Sequence, residues 1–148
     1  MKKRIAAGGL AVAGAIVAWA AFADASVMVV RNDKGGNVEQ RVHQIEQLRQ
    51  AGTRVRIVGR CDSACTMFLG LPRACVARTA RLGFHGPQSQ YYGISLPPHQ
   101  FEYWSGVMAD HYPPRLRARF MAEWRNTTMG LHVISGAEAI RMGARACR

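Results

Sequence analysis

The sequence predicts an α/β fold on a mainly parallel sheet. Three observations carry that reading. A β-branched run, a Gly-Gly turn, an amphipathic helix and a second alternating run follow one another over 26–59, which makes a βαβ unit with a right-handed crossover. Shorter extended pieces then alternate with helical stretches to the end of the chain. The 148 residues suit one domain, and 49% apolar with 20% charged residues is an ordinary globular composition. No fixed period repeats, which excludes solenoids and propellers.

The elements follow in order. Ser26 to Arg31 is short, apolar and β-branched, hence a buried strand. The cluster from Asn32 to Asn37, with Gly35 and Gly36, is a turn. Val38, Val42, Ile45 and Leu48 recur at helical spacing, and Gly52 stops that helix. Arg54 to Gly59 alternates as a second strand. Ser63 to Leu71 is a short apolar helix ending before Pro72. Residues 75–77 and 82–84 are extended. Pro97-Pro98 opens a helix to about His111, and Pro113-Pro114 opens another carrying Leu116, Phe120 and Trp124. Ser135-Gly136-Ala137-Glu138 is a capping box before a last short helix that Gly143 stops.

The first 25 residues stand apart. Lys2, Lys3 and Arg4 precede an uncharged run from Ile5 to Ala23, followed by small-x-small sites at Ala21–Ala23 and Ala23–Ala25. This is the pattern of a secretory signal peptide cut after Ala23 or Ala25, leaving one domain over 26–148. The alternative is an uncleaved N-terminal membrane anchor, since the run is just long enough to span. Either way the folded part lies outside the cytoplasm, periplasmic or secreted.

Export sets the meaning of the four cysteines, because disulfides are the default in an oxidising compartment. The spacing Cys-x3-Cys-x9-Cys with a distant fourth lacks the paired knuckles of a zinc site, so no metal and no cofactor are expected. In the βαβ reading Cys61 and Cys65 sit at the carboxyl edge of the sheet. Cys75 and Cys147 lie near the opposite edge. Cys75–Cys147 is therefore the expected bridge. Cys61 and Cys65 either pair across the first helical turn or stay reduced.

In parallel sheets ligands bind at the carboxyl ends of the strands. The Gly35-Gly36 turn, the segment Cys61-Asp62-Ser63-Ala64-Cys65 and His85-Gly86 all fall at that edge. A serine at a helix start, beside free N–H groups, has an anion-stabilising environment. A histidine at the next strand end is placed to take its proton. The simpler reading of such a serine is a helix cap.

These residues also carry a resemblance. Gly35-Gly36 after a strand, Gly59-Arg60-Cys61-Asp62-Ser63-Ala64-Cys65, the run Arg81 to Pro87 (RLGFHGP) and the run Ser135 to Gly143 (SGAEAIRMG) resemble, in the same order, the motifs of the Clp protease proteolytic subunit. The set looks like an exported branch of the Clp protease/crotonase superfamily. The resemblance implies a repeated ββα-type core. It implies Ser63 as nucleophile, His85 as general base, and the N–H groups of Gly36 and Ala64 as oxyanion hole. A peptide or protein is the implied substrate, and self-association into a homo-oligomer is implied by the same likeness. The family's N-terminal segment, which docks an ATP-driven unfoldase, has no counterpart in the exported part, so no ATPase partner is expected.

One departure matters. The family's acid falls on Leu131, with His132 beside it, and no acid lies between Glu123 and Glu138. Asp110 and Glu102 do not fit the motif. Either a backbone carbonyl or Asn126 orients His85, or the site is slow or inactive. The expected function is an exported serine hydrolase cutting peptide bonds. The alternative is a non-catalytic binding or assembly module on the same fold.

The net charge of +11 draws the chain towards polyanions, but no nucleic-acid motif is present. Arg115, Arg117, Arg119 and Arg125 read as a solvated helix surface. Tyr91, Tyr92 and Tyr103 are candidates to line a cleft or to pack inside.

Overall fold

The computed structural model describes residues 26–89, 91 and 94–148; the expected signal peptide lies outside the described residues. The chain runs β1 (Val27–Asp33), α1 (Val38–Gln50), β2 (Arg54–Asp62), a 3-10 helix (Ser63–Gly70), β3 (Ala74–Val76) and β4 (Arg81–Phe84). It continues through α2 (Pro98–Ala109), α3 (Pro114–Ala122), a 3-10 turn (Trp124–Asn126), β5 (His132–Ser135) and α4 (Gly136–Arg141).

The sheet order is β1-β2-β4-β5, with β3 also on β2. β2 is long enough to serve two partners in series. Val55–Ile57 pair with β3, and Arg60–Asp62 pair with β4, both parallel. β1 lies parallel on the other side, with a register shift between Val30 and Asn32. Gly59 packs against the backbone of Arg31 there, and any Cβ would overlap it. Because β1, β2 and β4 are parallel, the segments that follow them emerge at one edge.

β2 shows why the sheet has an inside and an outside. Val55, Ile57 and Cys61 are fully buried, while Arg54 is exposed and Arg56 and Arg60 are half-buried. The period of two turns these sets to opposite faces. On the inner face Phe84 meets Trp124 (centroids 5.0 Å) and the edge of Tyr112 (5.6 Å), and Tyr112 meets Phe120 (5.1 Å). Burial of these rings locks α2 and α3 onto β4.

Two disulfides form, Cys75–Cys147 and Cys61–Cys65, with Cα separations of 4.9 and 5.3 Å. Among the described residues no cysteine is free. Cys75–Cys147 ties the chain end beside β3, where Cys147 N–H donates to the Val76 carbonyl (3.0 Å). Two closed bridges suit an oxidising compartment. No helix among the described residues is long and apolar enough to cross a membrane.

Two features refine the expected elements. The helix from Ser63 is of the 3-10 type and ends at Gly70. Ala64 to Phe68 are all buried, so the run carries no periodicity that would tell this pitch from the α pitch. The strand β5 is an addition; it pairs antiparallel with β4 from Arg81↔Ser135 to Phe84↔His132. With four residues and one buried side chain, Ile134, it leaves too short a pattern to read.

Candidate active site

β2 delivers the chain to a sharp elbow. Ser63 has φ +56°, the one positive φ at a non-glycine among the described residues. That conformation is costly for an L-residue and persists where the surroundings over-determine it. Three sets of contacts do so here. The Cys61–Cys65 bridge spans the turn. The Thr66 hydroxyl donates to the Ser63 carbonyl (2.7 Å) and accepts from the Tyr112 hydroxyl (2.8 Å). Burial pushes the ionisation of Tyr112 up, with the Thr66 hydrogen bond opposing part of that, so this donor stays protonated at any physiological pH.

The third contact is the glycine turn after β1. A Cβ on Gly35 (φ +94°) would stand 2.6 Å from Ser63 Cβ and 2.7 Å from the Asp62 carbonyl oxygen. Only a glycine lets the two turns touch. Asp33 Oδ1 accepts from Gly35 N–H (2.8 Å), and Arg41 pairs with the same carboxylate (2.9 Å) while its guanidinium lies over the Phe68 ring (4.5 Å). Gly35 N–H is thus engaged, and Gly36 N–H donates to no acceptor among the described residues. The N–H of Ala64 lies in the first turn of the 3-10 helix, where helices leave donors unpaired.

His85 follows β4 directly. Its Nδ1 donates to the Gly86 carbonyl, which leaves Nε2 bare as an acceptor. Gly86 is wedged in place: a Cβ there would overlap the Arg125 backbone and stand 2.8 Å from Phe101 Cε2, so its carbonyl has little freedom. Of the two orienting groups the sequence left open, this is the carbonyl. Asn126 is exposed and makes no hydrogen bond to His85. Glu102 and Asp110 are engaged in ion pairs with Arg125 (2.6 Å) and Arg117 (2.9 Å). His132 stacks on Trp124 (4.5 Å) on the opposite face of β4.

Ser63, His85 and Gly36 line one open cleft of about 680 Å³. Its walls are apolar at Leu96, Trp104 and Met108 and polar at Asn37 and Gln88. Glu39 is the single charged residue among the described lining. Tyr91 lines the cleft, Tyr103 is exposed, and Tyr92 lies outside the described residues. No group of three or more His, Cys, Asp or Glu among the described residues is arranged to hold a metal.

Sequence reasoning passed over Asp62. Its side chain is 2% exposed, with Oδ2 paired to Arg60 Nε and Oδ1 without a hydrogen-bond partner. The available signal was an acid at the inner end of a strand, next to the candidate nucleophile.

No protein-family model matches the chain, and no curated protein sequence does. Among solved structures it is similar to a membrane-bound stomatin-specific protease, a lysine-to-alanine mutant in complex with a substrate peptide. The TM-score is 0.60 at 18% identity, over 80% of this chain and 58% of that one. The chain therefore spans a little over half the length of that structure. The shared feature is the fold, that of Clp-like proteases.

Proposed function

We propose that this protein is an exported serine hydrolase acting on peptide bonds. The observation that carries the reading is the convergence of a strained serine, a histidine with a bare Nε2 and a glycine turn on one cleft. In this reading Nε2 of His85 takes the proton of Ser63 Oγ as the oxygen attacks the carbonyl carbon. The N–H groups of Gly36 and Ala64 receive the charge that develops on the carbonyl oxygen. His85 then returns the proton to the leaving amine, and water repeats the cycle on the acyl-enzyme. The Gly86 carbonyl fixes the tautomer but adds no negative charge. The fold likeness to a protease supports a peptide as substrate, and the apolar wall at Leu96, Trp104 and Met108 favours an apolar side chain beside the scissile bond.

The test is a serine-directed phosphonate probe on the full chain. Labelling that maps to Ser63 and disappears in Ser63→Ala is the expected result. The cap position of the 3-10 helix is Asp62 and Ser63 is the first residue inside it, so the variant removes no helix cap and should fold normally. A protein that takes up no label, or a Ser63→Ala variant that hydrolyses peptides as the wild type does, overturns the reading. Self-association and removal of residues 1–25 belong to the same proposal; sedimentation and N-terminal sequencing of the exported protein check them.

A further inference from the structure

The carboxylate of Asp62 sits beside the site with half of its hydrogen-bonding capacity unused. Arg60 Nε holds Oδ2, and Oδ1 is buried without a donor. A buried carboxylate oxygen in that state calls for a donor. The sheet says where Oδ1 points. Asp62 is in register with Gly83 of β4, so both positions project from the same face. A Cβ on Gly83 would overlap Oδ1, and Leu131 Cδ1 lies 2.9 Å from that same point. Gly83 thus admits the carboxylate over β4, and Leu131 closes it from the β5 side.

His85 lies two residues beyond Gly83. In extended chain such side chains share a face, about 7 Å apart along the strand. That span is within the combined reach of an imidazole and a carboxylate. Arg60 gives its Nε to the other carboxylate oxygen, Gly83 is paired into ladders on both sides, and His132 is on the opposite face against Trp124. The other charged groups near His85 are Glu39 across the cleft and Arg125 behind Gly86, the latter paired with Glu102.

We propose that Asp62 is the positioning acid of His85, with Oδ1 accepting Nδ1–H when the imidazole turns from the Gly86 carbonyl. The inference rests on the hydrolase reading of Ser63 and His85. It puts the acid on the strand before the nucleophile, not on the β5 segment where the family carries it. The proton taken from Ser63 stays on the imidazole. Asp62 remains ionised and steadies the imidazolium that forms. Arg60 holds the other oxygen so that the carboxylate cannot turn away.

The experiment is a ¹⁵N-histidine NMR titration of the full chain, beside the rate of phosphonate labelling against pH. Three proteins are compared: wild type, Asp62→Asn and Arg60→Gln. Asp62→Asn is expected to lower the midpoint of His85 by about one pH unit. It should slow labelling about 100-fold and carry the labelling profile down with it. Arg60→Gln, which keeps the carboxylate, should shift the midpoint far less. A role confined to the Arg60 ion pair makes the two variants alike, and that result overturns the proposal. So does an unchanged His85 midpoint in Asp62→Asn.

Should Asp62→Asn fail to fold, the wild type still decides. A strongly downfield Nδ1 proton on His85 in the phosphonylated protein supports the carboxylate partner, and an ordinary amide-like shift refutes it. A wild type that never labels defeats the hydrolase reading alone, since the histidine titration needs no reactive serine.

Discussion

Replacing Gly35 by alanine tests the elbow most directly. The new methyl group would sit 2.6 Å from Ser63 Cβ and 2.7 Å from the Asp62 carbonyl oxygen, where ordinary contact begins near 3.4 Å. One turn must retreat by about 0.8 Å, the shortfall between those distances. The backbone resists as well, because φ at Gly35 is +94° and an L-residue there costs about 1–2 kcal/mol. Overpacking adds about 1–3 kcal/mol. The expected loss of stability is therefore about 2–5 kcal/mol. A displacement approaching 1 Å at a reacting serine is worth roughly 100-fold in rate. Thermal melts give the first quantity, and phosphonate labelling of the folded fraction at low temperature gives the second. Gly36→Ala is the internal comparison. Its Cβ would meet nothing within 4 Å, so only its φ of +135° is violated and the contact penalty is absent. A Gly35→Ala protein that melts and labels as the wild type does would show that the two turns do not brace one another.

The two disulfides should separate in their effects. Cys75→Ala/Cys147→Ala opens a loop with a sequence separation of 72 residues and should cost about 4 kcal/mol in chemical denaturation, with labelling of the folded protein unchanged. Cys61→Ala/Cys65→Ala opens a bridge of separation 4, worth about 2 kcal/mol in the same treatment, yet it should slow labelling by about tenfold or more because it spans Ser63. Equal labelling by the two variants would contradict this. Tyr112→Phe should cost about 1 kcal/mol through the lost donor to Thr66. It should also change the alkaline limb of stability. The tyrosine holds its proton more tightly folded than unfolded, so its contribution is present below about pH 10 and falls away as the pH rises above that. The phenylalanine variant should lose this slope, as melts between about pH 8 and 11 would reveal.

Much of this architecture is legible in the sequence because it rests on period and punctuation. The helix over Val38–Gln50 shows its 3.6-residue spacing and its stop, and β2 shows its alternation of arginine with valine and isoleucine. The helix cap at Ser135 is there in the structure, with the serine oxygen accepting from Glu138 N–H (3.1 Å). The Cys75–Cys147 pairing follows from the directions of strands and helices together, since Cys75 starts β3 at the edge towards which the helix from Ser135 carries the chain end. What escapes is whatever depends on contact between distant segments. The 3-10 pitch after Ser63 is set by a buried turn that touches Gly35 and Tyr112, and neither neighbour is visible in the local pattern. Asp62 reads as a strand-end polar residue until the register places it opposite a glycine.

The elbow bears on the choice between an active site and an inert scaffold. A serine held at positive φ stabilises nothing by itself, and a helix cap does not require it: Asn37 and Ser135 cap α1 and α4 from extended backbone, with side-chain oxygens accepting N–H bonds. Ser63 is not at a cap position at all, since the N-cap of its helix is Asp62. Its strain is offset by a disulfide, a buried tyrosine–threonine relay and a glycine with no room for a methyl group. Each of these restrains the same few atoms, and together they aim the serine into the cleft that His85 and Gly36 share. A binding module could keep the fold with an ordinary turn at this point. The concentration of restraints on one backbone angle is what a nucleophile needs, because an attacking oxygen must be held in place before the substrate arrives.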